Sequence, residues 1–138
     1  MRRLLGAASL ARALLVVFAV RLALTVWPFA RVHELVDRRS RPRTGASPST
    51  PARVVAGRVD RVARFVPGAT CLVRSLAARL LLGWAGHESR LRIGVARPGQ
   101  AGLEAHAWVE CEGVTVLGAA TDRHFTPLPD LPPRSRAS

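Results

Sequence analysis

The sequence predicts an α+β fold in which helices come first and a small antiparallel sheet follows. Apolar residues recur at helical spacing through the first part of the chain. From Leu91 to Val95 they alternate with polar residues or glycine, which is typical of a strand. Glu112-Gly113 then separates two further strand-like runs, as in a hairpin. The chain has 138 residues, of which 49% are hydrophobic, enough for one domain with its own core.

The charge of the chain is strongly positive, with 21 basic and 9 acidic residues and a formal net charge of +12. Every basic residue is arginine, while asparagine and tyrosine are absent. Codon bias in a GC-rich genome produces such a composition. No aromatic–basic stacking platform accompanies the arginines. We therefore expect no nucleic-acid partner.

The segment 1–39 is apolar and predicts an N-terminal helical segment. Arg12 and Arg21 interrupt the apolar run and leave only residues 13–20 uninterrupted, fewer than the ~20 that a membrane-spanning helix needs. We expect a helix that packs on the domain or on a partner and ends near Trp27-Pro28. Interfacial contact with a membrane stays open. The helical spacing is carried by Leu14, Val17, either Val20 or Arg21, and Leu24.

The segment 40–53 is rich in proline, serine and arginine and predicts a linker or loop. A second amphipathic helix follows over 54–65, because valines recur there at helical spacing between arginines. Pro67-Gly68 stops it. Thr70 then caps a third helix that runs to Gly83, with one apolar face formed by Leu72, Leu76 and Leu80.

The predicted strands cover residues 91–95, 105–112 and 114–117. After Gly118 we expect irregular structure, and the proline-rich segment 129–138 predicts a tail.

Cys71 is the first chemically reactive candidate, since it lies at the start of the third helix. The free N–H groups and partial positive charge of a helix N-terminus stabilise a thiolate, which is the nucleophilic form. The same N–H groups can hold the oxyanion of a tetrahedral intermediate. The alternative is that Cys71 is a small buried apolar residue, as free cysteines often are.

His106 is the second candidate. Strand alternation places His106, Trp108 and Glu110 on one face of the second strand and Cys111 on the opposite, core-facing side. A histidine near the beginning of this strand can reach a helix N-terminus packed on the same sheet, as in Cys–His nucleophilic catalysis. The cysteines and histidines show no zinc-type spacing, so we expect no metal. Two cysteines form no disulfide framework, which favours a reducing cytoplasm.

Three blocks together resemble a known family: CLVRSL at 71–76, RIGV at 92–95, and AHAWVE at 105–110 followed by Gly113. They are similar to the lasso peptide biosynthesis B protein in its standalone protease form. That family is a branch of the transglutaminase-like, papain-related superfamily. The resemblance covers roughly residues 54–128.

The composition of the segments and the resemblance together predict a domain organisation with four parts. Residues 1–39 form the N-terminal apolar helices, and 40–53 form the linker. Residues 54–128 form a transglutaminase-like (papain-like) core with the nucleophile helix packed on a small antiparallel sheet, and 129–138 form the tail.

The resemblance also implies an activity. The protein is expected to be a cysteine protease that removes the leader from a ribosomally made precursor peptide, with Cys71 as nucleophile and His106 as general base and acid. A separate leader-binding protein would deliver the precursor, and a separate ATP-dependent lasso cyclase would then close the ring. No cofactor is implied. The expected location is the cytoplasm, with peripheral contact to the inner membrane face left open.

One departure concerns the third catalytic member. Relatives often carry an acid about where Gly118 stands in this chain. Asp122, slightly downstream, is the candidate that could orient the imidazole instead, although it could equally be a solvated turn residue, and a bare Cys–His dyad is the other option. The missing acid favours an alternative function: a non-catalytic peptide-binding or scaffold module of the same biosynthetic complex.

Overall fold

Helices precede strands in the computed structural model, which describes residues 2–42, 45, 47–96, 104–118 and 126–127. The elements are α1 (Arg2–Val26), α2 (Phe29–Arg39), α3 (Ala52–Ala63), α4 (Cys71–Trp84), β1 (Arg90–Ala96), β2 (Glu104–Cys111), β3 (Val114–Leu117) and β4 (Thr126–Pro127). Across the described ranges, the strands form one antiparallel sheet in the order β3-β2-β1-β4. The predicted α+β class is confirmed.

The N-terminal helices are divided by a proline. Helix α1 ends at Val26, and Pro28 is the extended residue that precedes α2. The prediction that Trp27-Pro28 ends the first helix therefore agrees with the structure, whereas α2 was not predicted as a separate element. The buried side chains of α2 are Val32 and Val36. Two apolar positions among arginines and a glutamate are too few to give a clear helical pattern in the sequence.

Helices α1, α3 and α4 and strand β2 contribute to one hydrophobic core. One face of α1 lies in it, and so do the apolar faces of α3 and α4. Fully buried side chains include Val17, Val59, Leu76, Leu82 and Val109. The N-terminal helix is thus part of the core that supports the sheet.

Helix α1 is also long and apolar enough, by length and composition alone, to cross a membrane over Gly6–Val26. The uninterrupted run between Arg12 and Arg21 was expected to be too short to span a membrane. By length and composition, however, the two arginines do not exclude a membrane span. A minor share of this segment is buried in the protein, and a signal sequence or a core helix can have the same composition.

A buried arginine joins three elements. The guanidinium of Arg79 on α4 donates to Oδ1 of Asp37 on α2 at 3.0 Å and to the carbonyl oxygen of Ser89, just before β1, at 3.3 Å. Burial and then the positive charge of Arg79 lower the pKa of His33 on α2, while Asp37 partly opposes them. This cluster fixes the helical layer against the start of the sheet.

The sheet follows the predicted strands closely and adds one. Strand β1 pairs with β2 over its full length, with Gly94 opposite His106. The expectation of irregular structure after Gly118 was wrong at Thr126–Pro127, which forms β4 beside β1. A proline is tolerated on an edge strand because its missing N–H need not face the neighbouring strand. A strand of two residues is too short to show an alternating pattern in the sequence.

Candidate active site

Cys71 is the first residue of α4. Thr70 precedes it in an extended conformation, and the Thr70 hydroxyl oxygen accepts a hydrogen bond from the N–H of Val73 at 3.4 Å. This is the N-cap that the sequence predicted. Cys71 is half-buried and is not in a disulfide, and its place at the start of α4 puts it beside the free N–H groups of the helix N-terminus.

His106 lies near the beginning of β2. Its neighbour Ala107 is buried, as are Val109 and Cys111 further along, while His106 and Trp108 are partly exposed. The predicted alternation of faces is therefore confirmed. Strand β2 thus holds the imidazole outside the core.

The ring of His106 is held by the backbone at the end of β3. Its Nε2 atom lies 2.5 Å from the carbonyl oxygen of Gly118. A carbonyl oxygen can only accept, so this contact requires the proton on Nε2. In the neutral ring Nδ1 is then unprotonated and is the atom that can act as a base.

Gly118 itself has no room for a side chain. Its φ is +79°, a conformation that favours glycine, and a Cβ atom there would lie 2.9 Å from the carbonyl oxygen of Ala107 and 3.2 Å from the Cα of Trp108. An acidic residue at this position would therefore strain the backbone and force the neighbouring strand to shift. The chain presents a backbone carbonyl to the imidazole where the sequence resemblance led us to expect a carboxylate.

Cys71 and His106 line the same open cavity, which has a volume of about 500 Å³. It lies at the β3 edge of the sheet and is also lined by Ala69, Ala107 and residues 115–118. The short edge strand ends at Leu117, so the ring of His106 lies beside the strand end and next to this opening. The structure thus brings the predicted nucleophile and the predicted base to one cavity.

Two charged side chains complete the cavity wall. Arg74, one turn after Cys71, donates from Nε to the carbonyl oxygen of Ala69 at 3.2 Å. Its Nη1 lies 3.5 Å from Oδ1 of Asp60 on α3. Since both members of this pair are partly exposed, solvent screens their attraction. The pair places one positive and one negative group in the wall of the cavity.

A scan against family models matches residues 14–130 to the transglutaminase-like superfamily. The chain belongs to the transglutaminase-like superfamily. No curated protein and no solved structure gave a significant match to it. The match begins within α1, ahead of residue 54, where the sequence resemblance began.

Trp108 lies beside His106 in this transglutaminase-like protein. The rings of His106 and Trp108 are stacked, with centroids 6.2 Å apart. The indole Nε1 donates to Oε1 of Glu110 at 3.0 Å. Trp108 thereby covers one side of the imidazole, and Glu110 is engaged with the indole.

The other residues predicted from the sequence lie outside the cavity or outside the described part of the chain. Cys111 is buried on the core side, and its burial, followed by the charge of Glu112, raises the pKa of its thiol. Asp122 lies outside the described residues, so its part in the site stays a prediction. Among the residues that the structure describes, no three histidine, cysteine or acidic side chains are grouped as metal ligands.

Two parts of the site were not predicted from the sequence. The carbonyl of Gly118 is a backbone atom and carries no residue-type signal. Asp60 belongs to a helix that the sequence predicted correctly, but its position beside Arg74 depends on how α3 packs against α4. The one sequence signal for the Gly118 carbonyl was the glycine itself, which stands where an acid was expected.

Proposed function

We propose that this transglutaminase-like protein is a cysteine peptidase that removes the leader from a ribosomally made lasso-peptide precursor. The main support is the placement of Cys71, at a helix N-terminus, and His106, hydrogen-bonded through Nε2 to Gly118, on one cavity. The superfamily includes cysteine peptidases. The lasso-peptide substrate is inferred from the sequence motifs around these two residues.

In the first half of the reaction, Sγ of Cys71 attacks the scissile carbonyl carbon while Nδ1 of His106 accepts the thiol proton. The Sγ–C bond forms and the carbonyl π electrons move to oxygen. When the tetrahedral intermediate collapses, the C–N bond breaks. The imidazolium returns its proton to the leaving amine, which is the new N-terminus of the core peptide.

In the second half, water attacks the thioester that joins Cys71 to the leader. Nδ1 of His106 accepts a proton from this water, and the C–S bond breaks to release the leader with a free carboxylate. The proton then returns to sulfur. One water is consumed for each peptide bond cleaved.

The Gly118 carbonyl supports both halves of this cycle. It fixes the ring orientation and the tautomer, and its negative dipole stabilises the imidazolium that forms when Nδ1 is protonated. The backbone N–H groups at the start of α4 can bind the oxyanion. They take the place of a side-chain donor, since no Gln or Asn precedes Cys71 in the sequence.

The proposed setting includes two partners in the cytoplasm. A separate leader-binding protein presents the precursor, and an ATP-dependent lasso cyclase joins the freed amine to an acidic side chain. The arginine surplus would attract an acidic leader or partner. Leader binding is then expected to weaken as salt rises.

The test mixes the protein with the precursor peptide encoded beside it and the leader-binding protein in water enriched in oxygen-18. A peptidase releases a leader whose new carboxylate carries one heavy oxygen, detected by mass spectrometry. Cys71→Ala abolishes this product, whereas Cys111→Ala, with a thiol removed from the core, keeps it.

The alternative function is a non-catalytic module that binds the peptide for its partners. It predicts that Cys71→Ala supports full lasso-peptide production and that no labelled leader appears. The Gly118–His106 contact reduces the case for this alternative, because the lack of an acid at Gly118 no longer leaves the imidazole without an acceptor.

A further inference from the structure

The outward face of α1 carries a continuous apolar stripe. Its members are spaced so that they share one side of the helix. They are exposed by half or more of their surface, up to 76% for the first of them, and comprise Leu4, Leu15, Phe18, Leu22 and Val26. We call these five residues the outer stripe. Exposed apolar surface of this extent marks an interaction site rather than ordinary surface.

Arginines border the outer stripe on both sides. At ~100° of rotation per residue, Arg12 lies on one border and Arg3 on the other. Arg21 lies on the same side as Arg3, but its guanidinium packs against Gly68 and donates to Oγ1 of Thr25 at 2.5 Å. Arg12 is exposed, with its guanidinium 4.8 Å from the ring centre of Trp84. The first acidic residue of the chain is Glu34. The charged residues of α1 are therefore all cationic, and the exposed Arg3 and Arg12 border its apolar stripe.

The opposite face of α1 is committed to the protein core. Ala13, Val17 and Val20 are buried there among α3 and α4. A transmembrane orientation would remove these side chains from the core. A helix with one face in the core can reach lipid only by lying parallel to the membrane surface.

We infer that the outer stripe docks the protein on an anionic lipid bilayer, with α1 in the plane of the interface. The apolar side chains enter the acyl boundary and the bordering arginines contact lipid phosphates. Trp27, 45% exposed at the end of α1, has the amphipathic ring that suits this depth. A second copy fits less well, because two such faces would bring arginines of the same sign together.

The first test measures flotation of the full-length protein with phosphatidylcholine vesicles, and with vesicles that also contain phosphatidylglycerol. Strong flotation is expected only with the anionic vesicles, weakening as salt rises because the Debye length shortens. Equal and salt-independent flotation with both would overturn the role of the arginine border. Absence of flotation with either would overturn the proposal.

A triple substitution tests the stripe itself. Replacing three of its members with glutamine is expected to weaken vesicle binding at least about tenfold, with the circular dichroism spectrum unchanged, since these side chains are exposed. The substitutions are Leu15→Gln, Phe18→Gln and Leu22→Gln. Unchanged binding would contradict the inference.

A matched control removes exposed apolar side chains elsewhere. The triple variant Val54→Gln, Phe65→Gln and Val114→Gln changes exposed residues outside α1 and should keep vesicle binding. If this control loses binding as well, general hydrophobicity rather than the outer stripe explains flotation, and the inference fails.

Two further measurements distinguish membrane docking from dimerisation: the depth of the outer stripe in the bilayer and the mass of the protein in solution. Native Trp27 is itself expected to be quenched by brominated lipid, so depth is measured as the change in quenching relative to the wild type. Phe18→Trp should increase the quenched fraction of the fluorescence, whereas Phe65→Trp should add only unquenched fluorescence. Light scattering should show the same mass for the wild type and the stripe variant without lipid. A wild-type dimer that the stripe variant dissociates would assign the face to a second copy and overturn the membrane inference.

Discussion

The Nε2 atom of His106 is hydrogen-bonded to the carbonyl oxygen of Gly118, a residue whose φ of +79° and close approach to Ala107 strongly disfavour a side chain. The same glycine thus explains why no carboxylate stands at this position and what takes its place. A backbone acceptor fixes the ring tautomer as a carboxylate would, without adding a charge.

Replacing Gly118 with alanine should therefore impair both stability and cleavage. We expect the free energy of unfolding to fall by about 2–3 kcal/mol, because the new Cβ is strained at positive φ and collides with the Ala107 carbonyl. Leader cleavage should fall as the carbonyl moves away from His106. Chemical denaturation and a cleavage assay on the folded fraction measure the two effects.

Gly113 offers the matched control. It also has a positive φ, +78°, but a Cβ there would meet nothing within 4 Å. Gly113→Ala should cost about 1 kcal/mol through backbone strain alone and leave cleavage unchanged. Equal loss of cleavage in both variants would show that destabilisation, not the His106 contact, is responsible.

The two cysteines should differ in reactivity. Iodoacetamide at neutral pH is expected to alkylate Cys71, which is half-buried at a helix N-terminus, well before Cys111. Cys111 is buried, and its raised pKa keeps it in the unreactive thiol form. Peptide mass mapping over time measures the two rates. Faster labelling of Cys111 would contradict the assignment of the nucleophile.

The buried Arg79 should make its partner important for stability. Asp37→Asn is expected to lower the free energy of unfolding by about 1–2 kcal/mol, since it leaves the guanidinium with less compensation. The value is modest because the Asp37 side chain is 46% exposed. Glu34→Gln, which breaks the exposed Arg38–Glu34 pair, is the control and should change stability by less than about 0.5 kcal/mol.

His33 should make the protein less stable in acid. Its folded-state pKa lies below 6.5 because of burial and then Arg79, so the unfolded chain binds a proton that the folded chain resists. The stability that the protein gains by keeping His33 neutral is fully present above about pH 6.5 and is lost as the pH falls through the folded-state pKa. Urea unfolding between roughly pH 8 and pH 5 should show a smaller loss for His33→Gln than for the wild type. Identical slopes would contradict this explanation.

Local signals predicted much of the fold. The Pro67-Gly68 turn, the Thr70 cap and the four-residue leucine spacing of α4 all depend on near neighbours, and alternation alone placed Ala107 on the core side of β2. For the same reason, the sequence predicted the place of Cys71 at a helix start and of His106 on the outer face of a strand.

Features that depend on tertiary packing were not predictable in this way. The approach of Gly118 to β2 follows an irregularity in the β2–β3 pairing at Val109/Glu110, which leaves no mark in the sequence pattern. Arg79 reads as a solvated helix position, yet it is buried because α2 brings Asp37 to it. The register of an edge strand and the partner of a charge are set by the assembled core.

The central claim is that Cys71 and His106 act together on a peptide bond, and the most direct measurement is the cleavage rate of four variants. With folded protein, the precursor and the leader-binding protein, Cys71→Ala and His106→Ala should each lose activity by ~10³-fold or more. Cys111→Ala and His87→Ala, whose imidazole instead contacts the Thr50 carbonyl away from the cavity, should stay near the wild-type rate. Cleavage that survives the loss of either Cys71 or His106 would contradict the peptidase mechanism.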